Sequence, residues 1–139
     1  MSINKVRSAL VAHYLSTPGL GLPTAQENRP FTQPSDGSAW AALFFRLADT
    51  SQVTLGDEGD DEAVGIMQVD INVPTGGGVA QLLDYTEALR RHFALGKTIN
   101  YSEQSVLIRK FSASRTRRSD TGGEYIVNIT VSWSARFNR

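Results

Sequence analysis

Apolar residues along this chain change period several times, and each change marks an element. Ile3, Val6, Leu10 and Tyr14 recur at helical spacing, with Ser2 in capping position and Pro18-Gly19 as a stop, which predicts an amphipathic first helix. Trp40 to Ala48 reads as a strand apolar on both faces, because Trp40, Ala42 and Phe44 alternate with Ala41, Leu43 and Phe45; such a strand belongs inside a sheet or at an interface. From Val64 to Val73 the alternation is clean. Met67, Val69, Ile71 and Val73 fall on a core face, and Gln68, Asp70 and Asn72 on a wet one. Pro74 ends that strand and Gly76-Gly77-Gly78 turn the chain. Val79, Leu82, Leu83, Thr86, Leu89, Arg90 and Phe93 then trace a second helix that Gly96 closes. Ser105 to Ala113 and Glu124 to Phe137 predict two further strands, the second with Tyr125, Val127, Ile129, Val131 and Trp133 on one face.

This order predicts an α+β fold, a mostly antiparallel sheet of four or five strands with two helices packed on one face. With 139 residues the chain is expected to form a single domain over 1–139, interrupted by a proline-bearing connection over 18–39 that has little apolar content. The N-terminus lacks the apolar core of a signal peptide and no run of eighteen apolar residues occurs, so a soluble product with no membrane partner is expected.

Charge adds a second pattern. Lys plus Arg equals Asp plus Glu at 14 each, so no global field steers the molecule to nucleic acid. The signs are nevertheless sorted. Asp57, Glu58, Asp60, Asp61 and Glu62 crowd one stretch, and Arg109, Lys110, Arg115, Arg117 and Arg118 another. The acidic stretch reads as a solvated hairpin tip or a partner-facing patch, since its glycine falls out of place for a calcium loop. Ser114 to Gly123 reads as a projecting, solvated hairpin loop, with no aromatic interleaved between Arg115 and Arg118 as a nucleic-acid site would need.

Candidate chemistry is sparse. Zero cysteines exclude disulfides, thiolate nucleophiles and zinc-thiolate sites. The Gly76-Gly78 turn lies between strand and helix, where free amides attract anions, but it lacks the Lys-Ser/Thr of a nucleotide loop and reads as a structural crossover. His13 and His92 are the only histidines, far apart and without a metal-binding pattern, so each reads as a helix-flank residue. No serine lies in a nucleophile elbow. Neither catalytic residues nor a cofactor is expected.

Glu27-Asn28, Pro30-Phe31 and Pro34 lead to Trp40 at the start of a strand. Leu55-Gly56 then precedes a hairpin, Gly65-Ile66 opens the next strand, Pro74 to Gly78 lead into a helix ending near Phe93, and an aromatic strand runs to Trp133. This succession over about Pro23 to Phe137 resembles the tail terminator proteins of long, non-contractile-tailed, lambda-like bacteriophages. The resemblance implies a non-enzymatic virion protein, assembled in the host cytoplasm as a ring, typically a homohexamer, at the head-proximal end of the tail. Its partners would be copies of itself, the tail tube protein and a head-completion or stopper protein, with DNA passing through the lumen unbound. A tail tube or head-tail connector subunit is the alternative. More distant is a small-ligand or enzyme domain using the Gly76-Gly78 turn.

A head-to-tail ring needs two complementary surfaces per subunit, and oppositely charged loops can supply them. Candidate subunit or tube contacts are therefore Glu27, Asn28, Arg29 and Phe31, the acidic Asp57, Glu58, Asp60, Asp61 and Glu62, and the basic Arg115, Arg117 and Arg118. The two charged stretches are expected to project from the sheet, and the Glu27 to Ala39 segment to drape over a neighbouring subunit. A conduit that must not hold its cargo would turn carboxylates such as Asp70 or the acidic stretch toward DNA.

Overall fold

The computed structural model describes residues 3–54, 56, 59–120 and 122–138. Helix α1 spans Ile3–Leu15, strand β1 Thr24–Gln26, β2 Trp40–Gln52, β3 Asp60–Pro74, helix α2 Ala80–His92, β4 Thr98–Tyr101, β5 Gln104–Ala113, β6 Arg117–Arg118 and β7 Glu124–Asn138. Ser2, the expected cap of α1, lies outside the described residues.

The α+β class holds, but the sheet is larger and less uniform than the periodicity predicts. It has seven strands in the order β1-β2-β3-β7-β5-β4, with β6 also on β7. The pairs are antiparallel except β1 on β2, which is parallel. The three strands that periodicity misses, β1, β4 and β6, are three, four and two residues long, too short to express a period of two.

Alternation fixes the faces. Met67, Val69 and Ile71 of β3, Val127 to Trp133 at every second position of β7, and Val106 and Ile108 of β5 are buried beneath the helices. Helix α1 lies over β4 and β5 and brings down Val6, Ala9, Leu10 and Tyr14; α2 lies over β3 and β7 with Leu82 and Leu89. A fully buried aliphatic side chain contributes about 1.5–3 kcal/mol, so this one-sided layer carries most of the stability. At its centre the Trp133 ring stacks on Phe45 at 5.4 Å and passes over Gly65, where a Cβ would fall 2.2 Å from the Arg46 carbonyl oxygen. Only glycine admits that approach.

On the opposite face the expected wet positions are half-buried, and Asn72 is buried at 5% exposure; there Gln68, Asp70 and Asn128 bond one another. Irregularities between Leu47 and Asp49 and between Ile108 and Lys110 interrupt the register of β2 and β5. The β4–β5 hairpin turns at Ser102 and Glu103, both at positive φ (45° and 69°), the conformation of a two-residue turn without its usual Asn-Gly.

Candidate assembly surface

The segment that leads into β2 is tied to its own subunit at its root. Ala41 N–H donates to the Pro23 carbonyl, which starts the parallel β1–β2 pairing. Where β1 ends, the Glu27 carboxylate replaces a strand by accepting the Phe45 backbone N–H at 2.7 Å. Asn28 then takes a left-handed conformation (φ 56°), which Asn tolerates well, and Arg29 N–H closes the turn on the Gln26 carbonyl at 3.3 Å. Phe31 packs on Trp40 at 5.5 Å, and the Trp40 indole N–H donates to Glu124 at 2.6 Å. Within the Glu27 to Ala39 segment, Glu27, Phe31 and the buried Ala39 are thus held on their own subunit. Arg29 and most of residues 32–38 are exposed.

The charged stretches are also less loop-like than expected. Asp57 and Glu58 lie outside the described residues. Asp60, Asp61 and Glu62 do not form a projecting tip: they begin β3, where Glu62 is registered against Arg136 and Asp61 against Phe137 of β7. Opposite charges across a strand pair favour that extension. Arg115 is exposed, but Arg117 and Arg118 lie along β7 as β6, registered with Ile126 and Tyr125. Arg117 donates to the Asn128 side-chain oxygen, Asn128 donates to Asp70 at 2.5 Å, and Gln68 donates to the same Asp70 oxygen at 3.0 Å. Asp70 is therefore a bonded member of the open sheet face, joined through Asn128 to the basic stretch.

Periodicity placed the histidines on separate helices and gave no sign that they meet. They stack at 3.7 Å and 5° where the two helices end, and Phe93 meets His13 edge-on at 4.7 Å. His13 Nε2–H donates to the His92 carbonyl at 2.7 Å; Ser16 donates its hydroxyl to the His13 carbonyl at 2.8 Å and lies 3.0 Å from His92 Nε2. Burial holds both imidazoles below their ordinary pKa, with repulsion from His92 and Lys97 adding to it at His13 and from Lys97 at His92. The stacked pair is a clasp between α1 and α2.

Among the described residues no group of three or more His, Asp or Glu side chains gathers as a metal site. Beside the glycine turn lies a depression of about 260 Å³ lined by Thr75, Gly76, Gly78, Val79, Arg118 and Tyr125. The turn leads into α2 through Val79, which makes no side-chain cap, and Thr75 N–H bonds the Gly123 carbonyl at 3.4 Å, tying the crossover to the turn before β7. No helix among the described residues is long and apolar enough to cross a membrane.

Comparison with known families decides the assignment. A family model described as "Phage tail terminator protein" matches residues 5–133. The chain belongs to the phage tail terminator family. It is accordingly a structural protein of the phage tail, located in the virion and associated with other tail proteins. A solved structure 22% identical to this family member aligns with TM-score 0.76 over 99% of the chain and 97% of its own, which establishes a shared fold. No curated protein matches.

Proposed function

We propose that this tail protein closes as a ring of six copies on the head-proximal end of the tail tube, stops addition of tube subunits, and presents the surface to which the head-completion or stopper protein joins. The family match over residues 5–133 carries the reading. The separation of charge supports it, because the acidic Asp60 to Glu62 lie beside the end of β7 and the basic Arg117 and Arg118 beside its start, so opposite ends of the sheet carry opposite charge for two different partners.

In this reading Glu27, Asn28, Arg29 and Phe31, with Asp57, Glu58, Asp60, Asp61 and Glu62 and with Arg115, Arg117 and Arg118, lie at subunit or tube contacts. The exposed residues 32–38 reach across the neighbour from a root fixed on β2. DNA passes through the lumen without being held. Tails assembled without the protein should be over-long and fail to join heads, and supplying it should restore both. Tails of normal, head-competent length in its absence would refute the reading. Alanine replacement of Asp57, Glu58, Asp60 and Asp61 together with Arg115, Arg117 and Arg118 should weaken ring closure. Unchanged assembly and tail length would remove these residues from the contact.

A further inference from the structure

We propose that the two half-covered edges of the sheet form one subunit joint, in which β4 of a second copy pairs along the uncovered half of β2 while β1 and Glu27 lie along the uncovered half of that copy's β5. The inference rests on the ring reading and names the strands that would make the ring.

The two outer edges are covered in complementary halves. On one side β1 pairs only with Ala41 to Leu43 and Glu27 seals Phe45, so β2 from Arg46 to Gln52 has no strand beside it among the described residues. On the other side β4 pairs only with Gln104 to Leu107, which leaves β5 beyond Ile108 equally bare. The register across the sheet fixes their heights. Thr98 stands opposite Leu107, then Ser134, Val64 and Asp49, so β4 is level with the bare half of β2. Phe45, and with it the Glu27 carboxylate, is level with Met67, Val131 and Phe111, inside the bare half of β5. Each projection therefore faces a recess of equal height on the next copy, a heterologous contact that repeats around a ring.

Chemistry agrees with the shape. Edges without a neighbouring strand are ones that proteins normally blunt or fill with another strand, and on this stretch of β2 the Asp49 carboxylate accepts the Thr50 N–H at 2.8 Å, a local cap that a pairing strand would displace. Three of the eight exposed large apolar residues among the described residues lie on this upper half: Leu47 on β2, Val53 just beyond it and Tyr101 on β4, at 43, 38 and 43% exposure, and Phe44, at 41%, adjoins it from below. Below them, Glu27 would meet a strand carrying Arg109 and Lys110. β4 runs in the direction of β2, since four antiparallel steps separate them, so the upper pairing is parallel and the lower one antiparallel.

The chain has no cysteine, so an engineered pair reports the joint without background. Ser51→Cys and Asn100→Cys lie on opposite edges, four strand spacings or about 19 Å apart, too far for a bond within one subunit. Both positions are exposed, and circular dichroism checks that the variant keeps its fold. Under mild oxidation the purified double variant should give a reducible ladder ending at the closed ring, whereas either single variant stops at the dimer. Asp49→Cys with Asn100→Cys covers a stagger of two residues. A closed oligomer by native mass with no ladder from either pair overturns the joint and leaves the terminator role standing. A protein that stays monomeric without a ladder also overturns it. Failure of the terminator role would appear separately, as tails of normal length made without the protein.

Discussion

Replacing Gly65 with alanine sets a methyl group 2.2 Å from the Arg46 carbonyl oxygen and 2.6 Å from Cζ2 of Trp133. Inserting a methylene into a packed core costs about 1–3 kcal/mol. Here one obstruction is backbone held in the β2–β3 ladder, and the other is a ring that is 1% exposed and stacked on Phe45, so neither can rotate away. The upper end, about 3 kcal/mol, is expected, and at roughly 4 °C per kcal/mol for a domain of this size the melting temperature should fall by about 10 °C. Urea and thermal denaturation followed by circular dichroism measure both. Trp133→Phe removes the benzo edge of the indole, so the double variant should lose less than the sum of the single variants, by about 1 kcal/mol. A Gly65→Ala loss below about 0.5 kcal/mol, or strict additivity with Trp133→Phe, would refute the packing described at this crossing.

Protonating the His13–His92 clasp opposes the fold. Both imidazoles titrate below their unfolded value of 6.5, so the unfolded chain binds more protons; stability is complete above that pH and falls as the pH drops below it toward the folded values. Urea midpoints between pH 5 and 7.5 should show this slope in the parent and a flatter one in His13→Gln/His92→Gln. Changing Ser102-Glu103 to Asn-Gly should stabilise by about 0.5–1 kcal/mol, since both sites are left-handed, and an unchanged urea midpoint would contradict that geometry. Glu27→Ala should free the Phe45 amide; hydrogen exchange at Phe45 and along Thr24 to Gln26 should quicken while that of β7 stays the same.

The long elements were legible because repetition averages out local ambiguity: β3 keeps one face free of polar side chains from Ala63 to Val73 and β7 from Tyr125 to Phe137, and α2 keeps its stripe for thirteen residues. What escaped depends on distant partners. β1 exists because Pro23 and Glu27 find the edge of β2, and nothing in Thr-Ala-Gln announces a strand. Five carboxylates in six residues argue for a loop, yet Asp60 to Glu62 are drawn into β3 by the far end of β7, where Arg136 stands opposite Glu62. Arg117 and Arg118 follow the same logic through Asn128. The histidine stack joins residues 79 positions apart, a distance at which no local pattern speaks. The order of structural markers carried the family; the contacts at the proposed surface needed the fold.

A sheet edge sealed at Phe45 by the Glu27 side chain differs in kind from one sealed by a further strand. Lifting a strand means undoing a ladder, whereas swinging a carboxylate aside gives up one hydrogen bond on the exposed rim, about 1 kcal/mol. Such a closure ends the covered half of the edge at a side chain, which can shift to fit what lies beside it without any part of the core unfolding.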